Sequence, residues 1–261
     1  MRLDEKFKEL KQKGKKAFIA YVPFGFPTIS RTKDICLSLE AAGVDVIELG
    51  IPFSDPLADG PIIQKATTLA LKNGANLDKC LRTLGELKES LKVPLVIMSY
   101  YNPIFRFGIN KFFKAMVKLD ISAITIVDLP LQESKDYIKI ARAKNIDTIF
   151  FATPTTSTDK LKKITRESRG FIYYISVTGI TGPKDFKYQA LIKDVKKIKS
   201  LTKRAVCVGF GIHNRSQVKR IQGFSDGVIV GSSIVKFIED NYKKKNFLKQ
   251  LNTYAKSLCL K

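Results

Sequence analysis

The sequence predicts an α/β fold, a single (β/α)8 TIM barrel with an extra N-terminal helix and additional helices, as one domain over residues 1–261. Three observations carry that expectation. Eight short runs are nearly all apolar rather than alternating, as parallel strands covered on both faces are. Helix-period segments separate them at regular intervals. The length, 261 residues without a break in composition, matches the roughly 250 residues such a barrel uses. The rival is an open doubly wound sheet, which usually has fewer strands and a glycine-rich turn after the first. Here the first strand runs into VPFGFPT, which is not GxGxxG.

The strands are expected at 17–22, 44–50, 94–99, 122–127, 146–151, 171–177, 204–208 and 226–230. After the first strand, segment 31–42 places apolar residues at helical spacing and stops at Gly43. Two segments, 63–72 and 77–91, lie between the second and third strands. The later strands are followed by 109–118, 131–143, 158–167, 189–200, 214–222 and 232–241. Ser157 or Thr158 is a cap candidate for one of these and Asn214 for another. Segments 3–13 and 246–258 add a helix at each end.

Composition removes several classes. Lys+Arg 46 against Asp+Glu 24 gives a net charge of +22, which can mark an acidic partner. The lysines are spread along the whole chain, with dense clusters only at Lys11–Lys16 and Lys243–Lys245. That pattern reads as solvated helix faces, so no nucleic-acid site is expected. No apolar run approaches the ~20 residues a membrane helix needs, and the opening MRLDEKFKELKQKGKK lacks the apolar core of a secretory leader. The four cysteines form no CxxC pair and there is one histidine, so neither a zinc cluster nor a disulfide framework is expected. Free thiols point to the cytoplasm or an equivalent reducing compartment, such as an organelle stroma.

A barrel of this kind builds its site at the C-terminal ends of its strands. Those ends read PFGFP, ELGIPFSDPLADG, SYYNP, DLP, ATPTT, SVTGITG, GFG and GSS. None holds a lysine, which counts against Schiff-base chemistry. The ionisable groups are Glu48, Asp55, Asp59 and Asp128. Glu48 lies inside an apolar strand, where burial should raise its pKa and suit it to proton transfer. The competing reading is a core glutamate satisfied by backbone donors. Asp59 sits in a Pro/Gly-punctuated loop and by itself reads equally well as a turn or cap residue. The glycine-rich ends after strands six, seven and eight suggest a phosphate cradle of backbone N–H groups, with Ser232 and Ser233 opening the last barrel helix.

These motifs match a known pattern. ELGIPFSDPLADGPIIQ (48–64), SYYNPIFRFG (99–108), SRGFIYYISVTGITG (168–182), GFGI (209–212) and GSSIV (231–235) together resemble the tryptophan synthase alpha chain family in order and spacing, over roughly residues 5–255. The resemblance implies a lyase of tryptophan biosynthesis that cleaves indole-3-glycerol phosphate by a retro-aldol reaction to indole and glyceraldehyde 3-phosphate. It puts the catalytic glutamate on Glu48 and the aspartate on Asp59. It puts phosphate contacts on Gly182, Phe210, Gly211, Gly231 and Ser232, and an indole pocket on Tyr21, Met98, Tyr173 and Thr181 with Asp128 nearby. It implies no metal and no cofactor in this chain, and a pyridoxal-phosphate tryptophan synthase beta chain as partner in a 2:2 heterotetramer that receives the indole. The chain departs from the pattern at Pro23, Phe26 and Val177.

Two other readings stay open: another phosphate-binding barrel enzyme, or a basic RNA-binding barrel module. For the partner surface, Ile51, Phe53, Leu57, Ile104, Phe105 and Phe107 stand in loops on the catalytic end and are not all expected to find room in the core.

Overall fold

In the computed structural model the chain is described over residues 2–176, 184–209 and 211–259, with backbone alone for 184–187. Eight strands are present: β1 (Ala17–Pro23), β2 (Val46–Gly50), β3 (Leu95–Ser99), β4 (Ala123–Ile126), β5 (Asp147–Ala152), β6 (Phe171–Ile175), β7 (Ala205–Gly209) and β8 (Gly227–Val230). All neighbours are parallel, and β8 pairs back onto β1 to close the barrel. The helices α1 (Leu3–Gln12), α2 (Arg31–Ala41), α3 (Pro61–Lys72), α4 (Leu77–Leu87), α5 (Tyr101–Phe107) and α6 (Ile109–Lys118) accompany the first half. The second half carries α7 (Lys135–Ala143), α8 (Thr158–Glu167), α9 (Lys184–Leu201), α10 (Arg215–Gln222), α11 (Ser232–Asn241) and α12 (Phe247–Leu258).

Local signals explain most boundaries. Asn76, Ser157 and Asn214 each accept a backbone N–H from three residues on, satisfying a donor that the first helical turn leaves open. Pro61 opens α3, where its missing N–H costs nothing. Two elements differ from expectation. A separate short helix, α5, follows β3 directly, and residues 131–133 form a 3₁₀ turn before α7 begins at Lys135.

The interior is built in layers. Successive side chains on a strand point to opposite faces, and the eight pairings accumulate to a shear of eight residues round the barrel. Inward residues at one height therefore come from alternate strands, four to a layer. From the N-terminal end the layers are Val46, Ala123, Phe171 and Gly227, then Ile19, Val96, Ile149 and Cys207. Above them come Glu48, Thr125, Tyr173 and Ile229, then Tyr21, Met98, Phe151 and Gly209, and at the top Gly50, Val127, Ile175 and Gly231. The lower layers form one apolar cluster with Leu3 and Leu10 of α1. This helix seals the N-terminal mouth, with Phe7 against Phe171 at 5.9 Å between ring centroids. Outward-facing strand residues pack beneath the helices in the larger cluster.

Candidate active site

Glycine keeps the upper layers open. Gly50 lies against the Tyr21 ring, and a Cβ at Gly209 would come within 2.7 Å of the Tyr173 ring. With no side chains at Gly50, Gly209 and Gly231, the C-terminal mouth encloses a cavity of about 290 Å³. Tyr21, Phe151 and Tyr173 form an aromatic wall, and Met98, Val127, Ile175 and Ile229 add apolar surface. Asp59, Thr153 and Ser232 bring polar groups to it, and Gly211 and Gly231 line the side where α11 begins.

Glu48 pairs in register with Tyr21 and shares its layer with Tyr173 and Ile229, which line the cavity, but Glu48 itself is not among the lining residues. It is 0% exposed, and neither carboxylate oxygen has a hydrogen-bond partner among the described residues. The alternative of a core glutamate held by backbone donors is therefore not what the structure shows. Burial, reinforced by the charge of Asp59, pushes the Glu48 carboxyl up to about 8. Burial also raises Asp59, to about 6, against a lowering hydrogen bond from Tyr100. Tyr21 and Tyr173 are raised as well, by burial first and then by Asp59 at Tyr21 and by Glu48 at Tyr173. The floor thus holds a carboxyl that is protonated at neutral pH, with a more readily ionised one above it.

Tyr100 fixes the Asp59 loop. Its hydroxyl donates to Asp59 Oδ2 at 3.1 Å and accepts from the Ala58 N–H at 3.0 Å. Phe53 packs on its ring at 5.2 Å between centroids. The sequence reading did not single out Tyr100. The signal was available, because Val96, Met98 and Tyr100 continue one face of β3 at a period of two.

Among the residues expected to bind substrate, Tyr21, Met98, Tyr173, Gly211, Gly231 and Ser232 line the cavity. Asp128 does not. Its Oδ1 accepts the Tyr101 N–H at 2.7 Å at the start of α5. Thr181, Gly182, Phe210 and the departure at Val177 lie outside the described residues. Phe151, Thr153, Val127 and Ile175 line the cavity without having been expected there. No lysine lines it, and no group of three or more His, Cys, Asp or Glu could hold a metal among the described residues.

The mouth also offers an anion site. At α11 the first N–H to find an intrahelical acceptor is that of Val235, bonded to Gly231. The N–H groups before it face the region of Gly231 and Ser232, where the positive end of the helix dipole favours an anion. Gly211 adopts φ +67°, a left-handed conformation that glycine tolerates best.

The partner-surface expectation narrows to two residues. Ile51 and Ile104 are buried, because α5 turns Ile104 into the core, and Phe53 and Phe107 are half-buried. Leu57, 91% exposed, and Phe105, 62% exposed, are the residues of that set left in solvent.

A closed parallel barrel with one buried carboxyl beneath an apolar cavity, a second carboxyl lining it and a helix N-terminus at its rim defines an acid–base enzyme for a small aromatic, anionic substrate. The comparisons narrow the class. The family model for the tryptophan synthase alpha chain matches residues 7–259, and the chain belongs to that family. The tryptophan synthase alpha chain of Petrotoga mobilis is 42% identical over 247 residues, 94% of this chain and 96% of the relative. That of Thermoanaerobacter sp. strain X514 is 39% identical over 98% of each chain. Among solved structures, tryptophan synthase subunit alpha from Legionella pneumophila superposes with a TM-score of 0.92 at 30% identity, covering 98% of this chain and 96% of that one. Ligand-free tryptophan synthase from M. tuberculosis gives 0.89 at 29% identity, covering 98% and 97%.

Proposed function

We propose that the chain, working as one domain, cleaves indole-3-glycerol phosphate into indole and glyceraldehyde 3-phosphate, with Glu48 as the proton shuttle and Asp59 as the partner of the indole N–H. The buried, unpartnered Glu48 carboxyl in the layer directly beneath the cavity carries this reading. Protonated at neutral pH, it delivers its proton to the indole ring carbon that bears the glycerol chain. Asp59 accepts the N–H and stabilises the positive charge that develops on the ring nitrogen. The Glu48 carboxylate then takes the proton of the adjacent glycerol hydroxyl. The carbon–carbon bond breaks, its electron pair restores the indole, and the hydroxyl carbon becomes the aldehyde. One proton leaves Glu48 and one returns, so the cycle needs no net acid or base. A pKa near the working pH suits a group with both duties.

The aromatic wall and Met98 take the indole. The phosphate sits at Gly211, Gly231 and Ser232 at the start of α11, with Gly182, Phe210 and Thr181 assigned there by motif alone. Family membership implies a beta chain as partner. The 2:2 assembly, pyridoxal phosphate in that partner, transfer of indole to it and a cytoplasmic location belong to this proposal. No helix among the described residues is long and apolar enough to cross a membrane.

The test is turnover of indole-3-glycerol phosphate by the recombinant chain with and without a beta chain, together with Glu48→Gln. The amide keeps the shape but cannot carry a proton, so turnover should fall by about 10²–10⁴-fold while glycerol 3-phosphate still binds. Activity within a few-fold of the parent would remove Glu48 from the mechanism.

A further inference from the structure

Thr125 presents the clearest unexplained group outside the reading above. It is 0% exposed and its hydroxyl has no hydrogen-bond partner among the described residues. Buried polar groups nearly always find a partner, so an orphan calls for an explanation. Branched apolar residues dominate the interior layers of such barrels, and a valine would fill this position with the same shape.

The register identifies the group that the hydroxyl can serve. Met98 of β3 pairs with Thr125 of β4, and Val96 of β3 pairs with Glu48 of β2. With one residue of stagger for each strand crossed, Glu48 and Thr125 fall at the same height, two strands apart, both pointing to the barrel axis. The remaining members of that layer are Tyr173 and Ile229. The layer below, Ile19, Val96, Ile149 and Cys207, contains no hydroxyl or carboxyl group. Two strands span about 10 Å along the wall, a gap that a glutamate stem, a threonine hydroxyl and one hydrogen bond are together long enough to close, although the side chains as described do not meet. Glu48 has two oxygens without partners and Thr125 has a donor without an acceptor.

We propose that Thr125 is a positioning residue for Glu48: the two groups are not hydrogen-bonded in the conformation described, and when Glu48 ionises its side chain turns to accept a hydrogen bond from the Thr125 hydroxyl. The kinetic consequence rests on the reading of Glu48 as the shuttle, whereas the contact itself does not.

The other groups facing Glu48 are Tyr21 from β1, Asp59 from the loop after β2, Tyr173 from β6 and Cys207 from β7. None of them is changed by Thr125→Val. That substitution removes the donor and keeps the shape. It should raise the Glu48 titration midpoint in the free protein by about one pH unit, the worth of one hydrogen bond to a charged group. Carbon-13 NMR of labelled glutamate carboxyls reads the midpoint, with Glu48→Gln assigning the resonance. The alkaline limb of kcat/KM should move up by the same amount, and Thr125→Ser should restore both. A structural role would lower stability or kcat without moving either midpoint. If Thr125→Val fails to fold, Thr125→Ala removes the same hydroxyl and carries the same expectations. An unmoved Glu48 midpoint, or no rescue by serine, overturns the proposal. A moved NMR midpoint with unimpaired turnover in Glu48→Gln would instead overturn the shuttle reading and leave the contact standing.

Discussion

Glu48→Gln should become more stable relative to the parent as pH rises. The folded protein holds this carboxyl at about 8 against 4.5 for the ordinary side chain. Below pH 4.5 both folded and unfolded states carry the proton, and the group makes no difference. Between 4.5 and 8 the unfolded chain ionises while the folded one stays protonated, so stability is lost through this window and levels off above it. The slope is about 1.4 kcal/mol per pH unit, and the whole window amounts to about 5 kcal/mol as an upper figure. Glutamine has no proton to lose, and the variant escapes this loss. Its buried amide adds a constant offset, which makes the slope the readout rather than the absolute difference. Asp59 titrates in both proteins and cancels, except for its coupling to Glu48. Urea unfolding of parent and variant at half-unit steps from pH 4.5 to 9 measures the difference. A difference that stays flat between pH 5 and 8 would show that Glu48 is ionised in the folded protein, and the acid-first order of the proposed reaction would fall with it.

Three further outcomes are expected. Tyr100→Phe removes the hydroxyl that bridges Asp59 and Ala58, so Asp59 should titrate above its present value of about 6 and turnover should drop about tenfold, the scale of one hydrogen bond to a charged group; pH–rate profiles of parent and variant check both. Gly209→Ala drives a methyl into the Tyr173 ring, which should cost about 1–3 kcal/mol in urea unfolding and raise KM for the indole substrate, and an unchanged KM would mean that Tyr173 does not form the pocket wall. Phe105→Glu puts a charge on the exposed face of α5 and should weaken co-purification with a beta chain by tenfold or more, while basal cleavage by the isolated chain stays within about twofold, as surface changes away from a site usually do.

The barrel was legible because each strand is an apolar run between turn signals, and parallel pairing needs no finer pattern. All eight strands fall within two residues of expectation at each end. The elements that escaped are short ones. In YNPIFRF, Pro103 and only seven residues leave no room for a helical period, although Ile104 facing in and Phe105 facing out are the work of α5. The segment 131–143 was read as one helix, but Ser134 is buried and its hydroxyl bonds back to the Leu131 carbonyl, which ends the first turn before α7 starts. At the site, Glu48 stood out as a charge in an apolar strand. Asp128 looked similar at the end of its strand, yet its oxygen is spent on a backbone N–H. Which carboxylate is spent and which is free depends on where the next element begins, and that is a tertiary fact. Thr125 lay within an expected strand, but its neighbour in space is two strands and 77 residues away and becomes visible only through the barrel's stagger.

The net charge of +22 and the raised Glu48 carboxyl pull in opposite directions. A strongly positive protein should lower the pKa of every carboxylate within its field, and Glu48 nevertheless rises. Range decides the matter. At physiological salt a charge is screened over about 8 Å. The lysines sit on the outer helices in solvent, whereas no lysine or arginine appears among the influences on Glu48. What acts at the floor is local: loss of water, the carboxyl of Asp59, and phenols that burial keeps neutral. The outer charge acts at another stage. Under the proposed function it would draw a phosphorylated substrate toward the protein before contact, toward the open start of α11. The same chain can thus be basic enough to gather an anion and buried enough inside to keep an acid protonated, because some of the residues that would otherwise fill the mouth are glycines and Glu48 in the layer beneath them is 0% exposed.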